Sequence, residues 1–113
     1  MTTIEQTALA NLIHNEQYAR KVLPFIKGDY FSDRTERILF EEIQKFVEKY
    51  NALPNKNSIE VELDSRKDLN EDDFKRVIEV VQSLKKDDDV NFDWLVETTE
   101  QFCKDKAVYN AIV

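Results

Sequence analysis

The stretch SDRTERILFEEIQKFVEKY, Ser32 to Tyr50, decides the fold class. Ile38, Leu39, Phe40, Ile43, Phe46, Val47 and Tyr50 recur at three- and four-residue steps. At about 3.6 residues per turn those steps gather the apolar side chains on one stripe, so the segment predicts an amphipathic helix of about five turns. Ser32 or Asp33 supplies the cap, since a short side-chain oxygen can accept a hydrogen bond from the first unsatisfied N–H groups. Arg34, Arg37, Lys45 and Lys49 interleave with Glu36, Glu41, Glu42 and Glu48 on the remaining surface.

The same grammar extends to both sides. Towards the N-terminus, Thr2 and Thr3 precede Glu5 and Gln6 as in a capping box, and Ala8, Leu9, Leu12 and Ile13 follow as an apolar face. Asn15 caps a second helix with Tyr18, Val22 and Leu23 on one side and a stop near Pro24. Gly28 and Asp29 predict a turn. Towards the C-terminus, residues 51–57 with Pro54 read as a loop, and Asn57 or Ser58 starts a short helix through Ile59 and Leu63. Asn70 caps a further helix. Glu71, Asp72 and Asp73 lie in its first turn, where carboxylates favour the positive end of the helix dipole, and Phe74, Val77, Ile78, Val81 and Leu84 form its buried face. Asp87 to Asp89 break the pattern, and Asn91 starts a last helix through Trp94, Leu95, Phe102, Tyr109 and Ile112. No segment sustains strand alternation. The expectation is an all-α, compact bundle of five or six helices, with residues 1–89 as a globular part and residues 90–113 as the start of a projecting hairpin or linker.

Composition removes whole classes of chemistry. With 113 residues the chain suits one domain, and 42% hydrophobic with 11% aromatic residues suffices to offset the entropy of folding. One glycine rules out the glycine-rich phosphate loops, each of which needs at least two. A lone cysteine forms no internal disulfide, which fits a reducing compartment. No basic region followed by an apolar stretch opens the chain, and no apolar run approaches the ~20 residues that span a bilayer. The expected location is the cytoplasm, without membrane contact. The net charge of −7 is uneven: residues 1–57 carry eight basic and eight acidic side chains, and residues 58–113 carry eight and fifteen. A polyanion is repelled by the second half.

Few residues offer chemistry. His14 and Cys103 are the only histidine and cysteine, and a nucleophile–base pair would need them adjacent. Two potential ligands fall short of a four-ligand zinc site. Asp87, Asp89, Asn91 and Asp93 imitate the start of a calcium loop, which fails at Phe92, where glycine belongs, and at Thr98, where a bidentate glutamate belongs. No catalytic, cofactor-binding or metal-binding residue is therefore assigned. Arg34, Arg37, Lys45 and Lys49, near Tyr30 and Phe31, would suit contact with a single-stranded nucleic acid, against the plainer reading of a mixed, salt-bridged helix surface. The last helix is richer in apolar residues than packing in one small domain requires. Trp94, Leu95, Thr98, Phe102 and Tyr109, with Val108 and Ile112 beside them, either face the core or form a subunit interface. The helix runs to Ile112 and Val113 without a cap, which reads as a fragment of a longer chain.

Several runs also carry a resemblance. EQTALANLI at residues 5–13 is similar to the opening of the N-terminal domain of DnaB-type replicative helicases. DYFS at 29–32, followed by RILFEEI at 37–43, looks like that family's next segment, and NALP at 51–54 falls at its proline-bearing loop. DWLVETTE at 93–100, then KAVYNA at 106–111, looks most like the T-even-type phage helicases. The resemblance covers roughly residues 5 to 112. It implies a small helical domain followed by a helical hairpin, whose pairing builds a collar beside a hexameric ATPase ring and contacts primase or a helicase loader. Trp94 through Ile112 would match the first hairpin arm and bear the pairing surface. ATP and magnesium, and most contact with single-stranded DNA, would belong to a motor domain outside these residues. A stand-alone helical adaptor that binds a protein partner is the alternative reading.

Overall fold

The computed structural model describes residues 3–112. Among these, every regular element is helical: α1 Ile4–His14, α2 Glu16–Val22, a 3-10 turn Gly28–Tyr30, α3 Arg34–Tyr50, α4 Lys56–Asp64, α5 Glu71–Ser83 and α6 Phe92–Ile112. The radius of gyration is 13.7 Å, close to the ~13 Å of a compact domain this long.

Short polar side chains start the helices. Thr3 and Gln6 bond each other's backbone N–H at 3.2 Å, the reciprocal capping box; Thr2 lies outside the described residues. Asn15 donates its N–H to the Asn11 carbonyl at 2.8 Å while its Oδ1 accepts from Tyr18 N at 3.0 Å. One residue thereby ends α1 and begins α2, leaving the two helices packed at a corner. Asp33, the second of the two cap candidates, accepts from Thr35 N at 2.8 Å. Asn70 and Asn91 cap α5 and α6 in the same way, at 2.8 and 2.9 Å.

Two expectations are corrected. The loop after α3 is shorter than residues 51–57, because Asn55 rather than Asn57 or Ser58 is the cap of α4, with Ser58 returning the bond in a second capping box. Asn51 closes α3 in the left-handed conformation with φ 52°, one of the few non-glycine residue types that adopts it readily. The apolar stripe of α3 does not reach its end: Ile38, Leu39, Phe40 and Ile43 are buried, Phe46 and Val47 are half-buried, and Tyr50 is exposed with its ring against Phe46. The turn expected at Gly28 and Asp29 is present, as a 3-10 turn that includes Tyr30.

The core is one cluster drawn from all six helices and the 3-10 segment. Phe31 sits at its centre, stacked on Phe40 of α3 at 5.1 Å and edge-on to Phe102 of α6 at 6.1 Å. α5 and α4 pack on the far side of α3, with Val77, Val81, Ile59 and Leu63 buried. Arg66, just past α4, reaches Glu42 of α3 at 3.3 Å and Asp68 at 2.6 Å, so the buried Glu42 carboxylate is paired. α6 closes the opposite side against α1, α2 and the 3-10 turn.

Candidate interaction surface

Residues at 3.6 per turn divide α6 lengthwise into two faces. Leu95, Val96, Thr99, Phe102 and Cys103 point into the core. Thr99 is fully buried, and its one hydroxyl proton goes to the Leu95 carbonyl at 2.8 Å. Tyr18 OH therefore donates to Thr99 Oγ1 across 2.7 Å and pins α6 to α2. Burial pushes the Tyr18 hydroxyl up to about 12.

The second half of α6 keeps this orientation but not the packing. Lys106 Nζ donates to Ser32 Oγ at 3.0 Å, and Asn110 Nδ2 donates to the Asp29 carbonyl at 3.3 Å, both at the surface. No residue of α6 after Cys103 is buried among those described. Val108 and Tyr109 are each 61% exposed and Ile112 is 80% exposed; Trp94, near the other end of α6, is 53% exposed. Val108, Tyr109 and Ile112 lie together near the end of the helix, whereas Trp94 stands ~21 Å away along it.

This geometry splits the six interface candidates. Trp94, Val108, Tyr109 and Ile112 are turned to solvent. Leu95 and Phe102 are corrected: they are core residues, because the 100° step per residue carries them onto the face that meets α1, α2 and Phe31. Val113 lies outside the described residues. A shallow groove of about 310 Å³ runs beside this part of α6, floored by Phe25 and Tyr30 and walled by Cys103 and Ala107. A second cleft of about 340 Å³ lies between the ends of α2 and α3, lined by Ala19, Leu23, Val47 and Leu53.

Each basic candidate on α3 has a neighbour within the fold. Arg34 pairs with Asp73 of α5 at 2.9 Å. Arg37 donates twice to the Phe31 carbonyl, at 3.2 and 3.0 Å, and so anchors the 3-10 segment. Lys45 lies 4.0 Å from Glu42, and Lys49 lies over the Tyr50 ring. Arg34 and Arg37 are each engaged within the fold, Arg34 through one of its five guanidinium donors, and the four basic residues form no patch free of carboxylates, since Asp73 faces Arg34 and Glu42, Glu48 and Glu62 share the surface of Lys45 and Lys49.

The remaining chemistry is structural. His14 Nε2 lies 3.4 Å from the Leu84 carbonyl, and Cys103 is buried, with burial first and the nearby Glu100 second pushing its thiol up to about 11. Such a thiol carries almost no thiolate at neutral pH and is a poor nucleophile. In the imitation calcium loop, Asp87 Oδ1 accepts from Asp89 N and Asn91 Oδ1 caps α6, so both side chains serve the local backbone. Among the described residues there is no cluster of three or more potential metal ligands, and no helix there is long and apolar enough to cross a membrane.

Comparison with known proteins agrees with the resemblance carried by the motifs. The family model described as the DnaB-like helicase N terminal domain matches residues 1–94. A DnaB-like replicative helicase from Enterobacteria phage T4 is 28% identical over 103 residues, which is 91% of this chain and 21% of that protein. The chain thus spans about one fifth of the length of this relative.

Proposed function

The chain belongs to the DnaB-like helicase N-terminal domain family, and from that premise we propose that it is the non-catalytic assembly and interaction domain of a phage replicative DNA helicase. Its task in this reading is to join copies into the collar of a hexameric ring and to offer a surface to primase or a helicase loader. In this reading the boundary expected at residue 89 moves to Cys103, because the first half of α6 is built into the core, and only the turns beyond it project as the first arm of a hairpin. ATP, magnesium and most contact with single-stranded DNA belong to a motor domain elsewhere in the parent protein, which works in the cytoplasm of the bacterial host.

The observation that carries the reading is the set of large apolar side chains held outward at the end of α6, Val108, Tyr109 and Ile112. A helix this apolar on its solvent side gains by covering that surface, at roughly 25 cal/mol per Å² removed from water. Sedimentation of the chain against a Val108→Glu, Ile112→Glu variant tests it. The parent chain should grow into dimers with concentration, while the variant stays monomeric with an unchanged melting temperature. If both remain monomers of equal size up to high concentration, the arm does not pair copies of this chain.

A further inference from the structure

The cleft of about 340 Å³ between the ends of α2 and α3 has no lining residue from α6. Its floor is apolar: Ala19 is fully buried, and Leu23, Val47 and Leu53 are half-buried with one side left open. The volume stands at the small end of the ~300–1,000 Å³ of ligand sites, room for a few side chains. The α2 wall, from Glu16 to Leu23, is ~10 Å long, two turns of a helix laid beside it.

Backbone chemistry makes the rim electronegative. A helical carbonyl accepts from the N–H four residues on, and for Arg20 that residue is Pro24, which has no N–H. The Lys21 carbonyl loses its donor as well, because Phe25 N turns to the Val22 carbonyl at 3.0 Å. At the end of α3, Asn51 N donates to the Val47 carbonyl at 2.8 Å, and the chain then leaves in the left-handed conformation. The carbonyls of Glu48, Lys49 and Tyr50 accept no backbone hydrogen bond among the described residues. Both walls of the cleft thus end in carbonyls without backbone donors, the negative end of a helix. The side chains add the same sign. Glu16 is neutralised by Arg20 at 2.9 Å, while Glu48 on the other wall has no ion pair among the described residues. No lysine lines the cleft, and Lys49 lies over the Tyr50 ring.

We propose that this cleft docks a basic amphipathic helix of a protein partner. It takes from the reading above only that the chain is an interaction domain, and it places a second surface away from α6. A purely apolar occupant would cover Glu48 and the free carbonyls without replacing their water, and an acidic one is repelled. Apolar anchors flanked by lysine or arginine satisfy both floor and rim. The occupant is a helix because its anchors at i, i+4 and i+7 span the ~10 Å wall, and the described residues offer no strand edge to extend.

The probe is a labelled synthetic helix with leucine at i, i+4 and i+7 and lysine on the flanks, titrated with the whole chain and followed by anisotropy. It should bind, more weakly as salt rises, and the same helix with glutamate for lysine should not. Ala52→Trp plugs the mouth from an exposed position, without touching the core, and should weaken binding more than tenfold. Glu48→Lys should weaken it roughly threefold to tenfold. Glu79→Lys makes the same charge change at an exposed site on α5 outside the cleft and should leave it unaltered. Equal binding of the two helices overturns the charge argument. A lysine helix that does not bind, an Ala52→Trp chain that binds like the parent, or equal losses in Glu48→Lys and Glu79→Lys, overturns the cleft as the site. The Val108→Glu, Ile112→Glu variant should bind the probe unchanged, so failure of pairing through α6 and failure of the cleft are read separately.

Discussion

Residues 92–103 and residues 104–112 form one unbroken helix, α6, yet they meet opposite fates. The first part is built into the core through Leu95, Thr99, Phe102 and Cys103. The second is tied to its own body by the surface hydrogen bonds of Lys106 and Asn110, with Ala107 beside the groove of Phe25 and Tyr30, and holds Val108, Tyr109 and Ile112 in solvent. Backbone hydrogen bonding is the same in both, so helicity alone says nothing about which apolar residues stabilise the fold and which are left in solvent. What separates them is whether another element lies alongside, and beyond Cys103 only the 3-10 segment and the loops flanking it do.

The largest test of this contrast removes one apolar side chain from each half. Leu95→Ala should cost about 2–5 kcal/mol of unfolding free energy, the transfer term plus a cavity. Ile112→Ala should change it by less than about 0.5 kcal/mol in the monomer. Denaturant titration at low protein concentration measures both, and similar costs at the two sites would erase the distinction.

An intermediate effect comes from alkali. Tyr18 and Cys103 hold the first half of α6, and both have folded values above their ordinary ones, about 12 against 10.0 and about 11 against 9.0. The folded state therefore retains protons that the unfolded chain releases. Stability is full below pH 9 and falls as the pH climbs towards 11 and 12. Tyr18→Phe should cost about 1 kcal/mol at neutral pH, by loss of the bond to Thr99. It should also flatten the upper part of the alkaline decline. A decline unchanged in that variant would place its source elsewhere.

The smallest effect concerns the outer half. Lys106→Ala or Asn110→Ala removes one exposed hydrogen bond, worth a few tenths of a kcal/mol at most in global stability. Amide exchange should nevertheless quicken in residues 104–112 while that of residues 92–103 stays as it was. Equal acceleration in both parts would mean that α6 opens as a unit.

Much of the fold was legible in local chemistry. The caps at Asn15, Asp33, Asn70 and Asn91 and the stripes of α1, α3 and α5 depend on neighbours three or four residues away, which one strand of text displays. The misjudged cap of α4 has the same local origin: Asn55 and Ser58 are three residues apart, as a capping box demands, but Pro54 drew attention to a loop. The interaction surface was half legible. The aromatic and aliphatic residues of α6 stood out by type, while their sorting into Leu95 and Phe102 inward and Trp94, Val108 and Ile112 outward required knowing where α1, α2 and Phe31 lie.

The sequence by itself determined an all-helical chain, its caps and breaks, and the absence of any glycine-rich phosphate loop, because periodicity, capping and composition are properties of neighbouring residues or of simple counts. Only the tertiary structure decided that Arg34 and Arg37 bond to Asp73 and the Phe31 carbonyl, that Tyr18 locks onto Thr99, and that α6 leaves the core after Cys103. Each of these joins residues or elements that sequence spacing does not pair, and burial follows from which surfaces meet in space.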